Sequence, residues 1–384
     1  MSLLRFPPEL HSNIIRYATY SPVFFDISPD PRFWPVVNER YAGFAPGYET
    51  KKALMLVSHH FRYLSFPYLY EVVIVHKSSN MHLLAKVLDS KSSDSAINGL
   101  ENPRKIKYLF VSVSASNHDV FSGLWKVLPH CQGLQGFGFY AAATEWMDSP
   151  QNWFNSIPKT VRVCDWQGHV GAWDFFRVVD RISESLVSLR FSKVSQYNSP
   201  PSVSLPKLSH LSMPEDHGGV KVLSNWSMPS LTHLRVNVLT SVALVRVVER
   251  AGNSLRSVIL GPKVSPTSLA QIATVSQNLE EYTYHFRPGM EASWASVRSH
   301  PSLQNIVMVF RRRCTPPRSG VQSSMYTFCS HLQSLTGAHF PKLRRIGFVG
   351  FDPHSTFDAQ IRARLDQLLD AWNTTGIEVE YLGP

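Results

Sequence analysis

Apolar residues recur in one short pattern from about position 100 onward. Each copy has an apolar residue, two variable residues, a second apolar residue, one variable residue and a third apolar residue. The last two apolar positions alternate, which places them on one face of a short strand. The ten copies are Ile106/Leu109/Val111, Leu134/Phe137/Phe139, Val161/Cys164/Trp166, Leu186/Leu189/Phe191, Leu208/Leu211/Met213, Leu231/Leu234/Val236, Leu255/Val258/Leu260, Leu279/Tyr282/Tyr284, Leu303/Ile306/Met308 and Leu343/Ile346/Phe348.

The spacing of these copies indicates a leucine-rich repeat. Successive copies begin 22 to 28 residues apart, except for the last step of 40 from Leu303 to Leu343, and such repeats have a period of 20 to 29 residues. Segments such as "GAWDFFRVVDRIS" and "SVALVRVVERAG" have helical spacing between the copies. We therefore predict an α/β fold: over residues 71–384, a horseshoe-shaped solenoid of about ten irregular repeats, with a parallel concave sheet and a C-terminal cap.

The amino-terminal region changes its hydrophobic period within "KKALMLVSHHFRYLSFPYLYEVVIV". Leu54, Val57, Phe61 and Leu64 share one helical stripe, and Pro67 predicts that this helix ends near Ser65. The continuous β-branched run that follows predicts a strand buried on both faces.

A second short helix is predicted upstream, in "FPPELHSNIIRYAT". Proline and an acidic residue in the first turn favour a helix that begins at residues 7–9. Leu10, Ile14 and Tyr17 then lie on one stripe. Two such helices cannot form a good core alone, so we expect their apolar faces to pack on the solenoid and on another protein.

This arrangement resembles an F-box followed by leucine-rich repeats, in a form similar to fungal members of the family. Phe6, Pro7, Pro8, Glu9, Leu10 and Ile14 stand at the family's L-P-x-E-L opening, and "LMLVSHHFRYLSFPYLYEVVIV" is similar to its second half. The resemblance implies a helical domain over residues 1–70 and a non-catalytic substrate-recognition subunit of a cullin-RING ubiquitin ligase. It implies that a Skp-type adaptor binds Pro7, Pro8, Glu9, Leu10, Ile14, Val57, Phe61 and Leu64.

One segment departs from the family pattern. Residues 20–50 are rich in proline and aromatic residues where the family has a brief link. We expect a surface insertion, packed on the domain by Phe24, Phe25, Phe33 and Trp34, because such loops tolerate insertion. The alternative is that this segment remodels or blocks the adaptor surface.

The side of the repeat strands that faces away from the core is the expected site for a protein target, whose identity the sequence does not indicate. Aromatic and charged side chains there suit a protein interface, although about half of them are equally typical of solvated strand residues. The candidate target-binding residues are Tyr108, Phe110, Tyr140, Asp165, Arg190, His210, His233, Arg235, Glu281 and His285.

Net charge supports a rival interpretation. The chain carries 38 Lys+Arg against 28 Asp+Glu, a formal charge of +10, which is compatible with a basic repeat scaffold that binds nucleic acid or protein without a ligase. Most of these cations are dispersed, and the one dense cluster, Arg311 to Arg313, is followed by a proline pair that predicts a solvated loop.

No enzyme motif or cofactor site is recognisable. The chain lacks G-x-S-x-G, H-E-x-x-H and P-loop patterns. The ligand-type residues Cys314, Cys329, His331 and His339 have no common zinc spacing, so a buried thiol and surface histidines are expected instead. Four scattered cysteines and the lack of an apolar span predict a reducing compartment, cytoplasmic or nuclear, and no membrane contact.

Overall fold

The computed structural model describes residues 7–19, 48–89, 106–113, 118–141, 153–170, 172–194, 201–213, 223, 225–237, 241–287, 294, 297, 299–310, 321–351 and 359–382. Its helices in these ranges include none with the length and hydropathy needed to cross a membrane. The chain forms two compact units, unit 1 over Met1–Ser195 and unit 2 over Gln196–Pro384.

Among its described residues, unit 1 opens with three helices. They are α1 (Pro8–Ala18), α2 (residues 48–57) and α3 (His59–Leu69). The predicted start of α1 is confirmed, with Pro7 as N-cap and Glu9 in the first turn. The predicted insertion over 20–50 lies outside the described residues, except for its last three residues, which belong to α2.

The prediction of one continuous helix from Leu54 that ends near Ser65 is wrong in two respects, its continuity and its end. The chain breaks at Ser58, which is extended (φ −164°, ψ 165°) and whose Oγ accepts a hydrogen bond from the Phe61 amide at 3.2 Å. A serine cap of this kind begins a new helix. That helix continues through Pro67 to Leu69, because a proline near the C-terminal end removes only one of the last hydrogen bonds.

Five parallel strands follow one another in unit 1. They are β1 (Val72–Val75), β2 (Tyr108–Val113), β3 (Gly136–Ala141), β4 (Val163–Val170) and β5 (Ser188–Val194). The segments between them contain α4 (Ser78–Asp89), α5 (His118–Val127), α6 (Ala172–Ile182) and the 3₁₀ turns Leu128–His130 and Trp153–Ser156. β1 is less buried than predicted, since Val73 and Ile74 are half-exposed.

Unit 2 repeats the same plan with seven parallel strands in chain order. They are β6 (His210–Met213), β7 (His233–Val236), β8 (Ser257–Leu260), β9 (Glu281–His285), β10 (Asn305–Val309), β11 (Arg345–Val349) and β12 (Glu378–Leu382). The helices are α7 (Ser241–Ala251), α8 (Pro266–Val275), α9 (Val321–Gln333) and α10 (Ala359–Thr374), and a 3₁₀ turn spans Gly252–Ser254.

The repeat pattern read from the sequence forms the core of both units. All thirty apolar residues of the ten copies are at most 6% exposed. Their second members are register partners: Leu109 pairs with Phe137 and Phe137 with Cys164 in unit 1, and Leu234 pairs with Val258 in unit 2. The α/β fold of stacked strand-and-return repeats is therefore confirmed, and β12 with α10 supplies the predicted closing strand and helix.

Candidate interaction surfaces

The first helix turns its predicted apolar stripe to solvent. Leu10, Ile14 and Tyr17, hereafter the α1 stripe, are 47%, 55% and 82% exposed. The buried stripe is the neighbouring one, with His11, Ile15 and Thr19 at spacings of four. A helix with a packed stripe and a second apolar stripe beside it has a surface suited to a partner.

Polar contacts between α1 and α3 hold this helix in place. A ring nitrogen of His11 (Nδ1) lies 3.1 Å from Nε2 of His60, and the hydroxyls of Ser12 and Tyr68 are 2.7 Å apart. The His11 ring also lies against the ring of Phe61, with centroids 5.9 Å apart. These contacts use the inner side of α1, so they leave the α1 stripe uncovered.

The other residues predicted to bind an adaptor are less uniform. Val57 is 64% exposed, whereas Phe61 and Leu64 are half-buried. Pro7 and Glu9 are exposed at the start of α1, and Pro8 occupies its first helical position. Phe61 and Leu64 lie on α3, which packs on α1, and Val57 is the last residue of α2. The role of these residues in adaptor binding stays a prediction.

Three further exposed apolar residues of this region, Tyr17, Leu56 and Tyr63, were not among the predicted site residues. Tyr17 lies on the predicted stripe of α1, one turn beyond Ile14, so its spacing in the sequence already predicted that it shares a face with Leu10 and Ile14. Leu56, 88% exposed, and Tyr63, 50% exposed, follow no stripe shared with Leu10. Their exposure depends on the break at Ser58, which periodicity did not reveal.

A buried charge cluster links these helices to the first strands. Glu71, just before β1, is paired with Lys107 (Nζ to Oε1, 2.6 Å), and its carbonyl accepts the amides of Lys107 and Tyr108 at 2.9 Å each. Lys51 of α2 is 2% exposed, and burial lowers its pKa while the Glu71 carboxylate partly opposes that effect. Glu71 and Lys51 are shielded from water, whereas the Lys107 side chain is 38% exposed. The cluster thus connects α2 and the end of α3 to the first strands.

The second face of the unit 1 sheet, opposite the repeat core, is covered. Tyr108, Phe110 and Tyr140 are at most 7% exposed and form a cluster with Val72, against which Tyr48 of α2 packs. The five candidate target residues of unit 1 are all buried: Tyr108, Phe110, Tyr140, Asp165 and Arg190. Binding through them would require this cover to move.

Asp165 is the polar centre of that face. It is 1% exposed, and it accepts hydrogen bonds from the Tyr140 hydroxyl at 2.8 Å and from the side-chain amide of Gln167 at 3.0 Å. Arg190 is its register partner on β5. A buried carboxylate with donors on both oxygens is typical of a structural network.

The second face of unit 2 is closed at its first strands. The rings of His210 and His233 stack with centroids 4.3 Å apart, and Nδ1 of each lies within 2.8 Å of the hydroxyl of the preceding residue, Ser209 or Thr232. Burial, reinforced by the nearby His233, lowers the pKa of His210 to about 4. Burial lowers the pKa of His233 as well.

Further along unit 2 the second face becomes more open. Arg235, Glu281 and His285, like His233, are half-buried. The ten candidate target residues thus do not form one uniform surface. Those of unit 1 are packed, and the accessible ones lie on β7 and β9.

The cysteine and histidine residues considered for zinc have other contacts. Cys329 is fully buried on α9, as expected. The expected surface position is wrong for His331, which is also fully buried and whose Nε2 lies 2.6 Å from the Tyr284 hydroxyl. The Nδ1 of His339 lies 3.0 Å from the Val297 carbonyl. Cys314 lies outside the described residues. Across the described part of the chain, no three metal-binding side chains cluster.

Comparisons with known proteins give little further guidance. No protein-family model matches the chain, and a search of curated proteins finds no match. Among solved structures, a match is the crystal structure of a complex of Rad7 and Elc1 from yeast, at 13% identity and a TM-score of 0.33, covering 89% of this chain and 95% of that one. Similarity at this level carries no functional inference.

Proposed function

We propose that this protein is a non-catalytic substrate-recognition adaptor, which holds a protein target on its repeats and a Skp-type adaptor of a cullin-RING ligase on its amino-terminal helices. The α1 stripe is the observation that carries the proposal. Leu10 and Ile14, about half exposed, belong to the sequence motif that resembles the F-box opening, and His11 and Ile15 beside them are packed. The chemistry of ubiquitin transfer would belong to other subunits, and this chain would supply proximity.

Physical chemistry supports a protein partner at this position. Exposed apolar side chains on one helix stripe match the helix-in-groove mode of recognition, with anchors at positions i, i+4 and i+7. Leu56 and Val57, 88% and 64% exposed, add apolar area on α2. The Glu71 cluster ties these helices to the first strands of the same unit, and a subunit that positions a target needs such a connection.

Co-purification with a purified Skp-type adaptor tests the proposal. The double variant Leu10→Asp/Ile14→Asp should lose binding by roughly thirtyfold or more, since central interface anchors contribute about 2 kcal/mol or more. Arg16→Asp, at an exposed position of the same helix about 120° away from Leu10 around the axis, makes the same change of two charges; it is the matched control and should bind normally. Thermal unfolding should be similar in all three proteins. Failure of the wild type to bind, or equal binding by the double variant, would contradict the proposal.

A further inference from the structure

The last strands of unit 2 carry an apolar patch on their second face. Val307 and Val309 of β10, Val349 of β11 and Leu382 of β12 all point away from the repeat core, since the residues between them on each strand face inward. Val349 and Val309 are register partners, as are Val349 and Leu382. Neighbouring strands are about 4.8 Å apart, so these side chains form one surface, hereafter the β10–β12 patch.

A glycine keeps this patch continuous. Gly347 lies between Val307 and Glu380 in the register. A Cβ at Gly347 would lie 3.3 Å from Cγ2 of Val307 and 3.6 Å from Cδ1 of Leu382. The two side chains therefore lean over the glycine from both sides. Val309, Val349 and Leu382 remain half-exposed.

The rim of the patch is acidic. Glu281 accepts a hydrogen bond from the Asn305 side-chain amide at 3.3 Å, and Glu380 is 3.5 Å from Arg345. Glu378 is exposed, and its backbone amide donates a hydrogen bond to the Arg344 carbonyl at 2.7 Å. Among the described residues of β9 to β12, this face thus carries three carboxylates and one guanidinium, although the whole chain has a formal charge of +10.

We propose that the β10–β12 patch binds an extended segment of a target protein in which short apolar side chains are flanked by lysine or arginine. An apolar centre with a polar rim is the usual anatomy of a protein interface, and carboxylates at the rim select cationic partners and repel phosphate. This rests on the target-binding half of the proposed function and names the class of target. It also places recognition on unit 2 rather than on the covered face of unit 1.

Fluorescence polarisation with the full-length chain tests this inference. The probes are three labelled peptide pools of equal length: apolar with lysine and arginine, apolar with aspartate and glutamate, and apolar with serine. The wild type should bind the basic pool most tightly. Glu378→Lys should weaken that binding roughly tenfold, because it places a like charge at the rim. Glu249→Lys, exposed on α7, changes the net charge equally and should have no such effect.

Several results would overturn the inference. They are equal weakening by both lysine variants, tighter binding of the acidic pool, or no binding of any pool. Concentration-dependent self-association that Glu378→Lys abolishes would assign the patch to a second copy of the chain instead. Adaptor binding is measured separately on the same proteins. Normal adaptor capture without peptide binding refutes only this inference, whereas peptide binding without adaptor capture refutes only the ligase connection.

Discussion

The two units have the same repeat core but different second faces. In unit 1, large side chains on β2 lie over glycines of β3: the ring of Tyr108 occupies the space that a Cβ of Gly136 would need, and the ring of Phe110 does the same at Gly138. In unit 2, the corresponding face of β10 and β11 carries valines, of which Val309 and Val349 remain half-exposed and Val307 is buried. The repeat pattern specifies one side of each strand and leaves the other free to become packed structure or binding surface.

Truncation of one apolar side chain on the second face of each unit is expected to give the largest difference. Phe110→Ala should lower the free energy of unfolding by about 3 to 5 kcal/mol, because it empties space in a buried cluster. Val349→Ala should cost less than about 1 kcal/mol, because the side chain is half-exposed. Chemical denaturation measures both. Similar losses in the two variants would show that the two faces are not packed differently.

Removal of one buried charge is the next largest effect. Asp165→Asn keeps the shape of the side chain but turns one carboxylate oxygen, which accepts from Tyr140 or Gln167, into an amide donor. We expect the free energy of unfolding to fall by about 1 to 3 kcal/mol. The matched change in unit 2, Glu281→Gln, affects a half-buried carboxylate with one long hydrogen bond. We expect it to be nearly neutral. A neutral Asp165→Asn would show that the unit 1 network is weaker than its burial indicates.

The histidine pair predicts a pH dependence of stability. The pKa of His210 is near 4 in the folded protein and about 6.5 when unfolded. The unfolded chain therefore binds the proton more readily between these values, and stability falls as pH decreases through this window. From pH 7 to pH 5 the loss should be about 1 to 2 kcal/mol, with His233 adding to it.

Denaturation of His210→Gln at the same two pH values isolates this contribution. The variant should be less sensitive to the change in pH than the wild type, whatever its stability at pH 7. A His339→Gln control changes a half-buried histidine outside the stacked pair. If His210→Gln and the control show the same pH dependence as the wild type, His210 does not titrate as its burial indicates.

The smallest effect is expected at the edge of the patch. Arg345→Gln removes an ion pair of 3.5 Å between partly exposed side chains. Such pairs contribute at most about 1 kcal/mol, so unfolding should change by roughly 0.5 kcal/mol or less. The same variant should bind the basic peptide pool at least as tightly as the wild type, because the rim becomes more acidic. Weaker binding would identify Arg345 as a contact for an acidic group.

Sequence patterns predicted the core better than the surfaces, for a physical reason. Burial of Leu109 or Tyr282 follows from local periodicity, because every repeat must bury the same face. The cover on Phe110 depends on Tyr48, which is more than sixty positions earlier and has no periodic relation to it. The break at Ser58 was likewise missed, because a capping serine competes with an otherwise continuous helical stripe.

The accessible part of the unit 2 face was partly predictable. Glu281 and His285 were read from the repeat pattern, and the same positions in the next two copies are Asn305, Val309, Arg345 and Val349. Their chemistry was visible in the sequence. Only the structure shows that Val307 and Leu382 lean over Gly347 and join the strands into one patch.

Hydrogen–deuterium exchange of the full-length chain, with and without a Skp-type adaptor, tests the central claim most directly. The account predicts slower exchange over residues 8–18 and 59–69 when the adaptor is present, since these helices carry the α1 stripe and its support. Exchange of β10 and β11 should be unchanged, because a target rather than the adaptor is proposed to bind there. Unchanged exchange in α1 at saturating adaptor, or protection confined to the repeats, would contradict it.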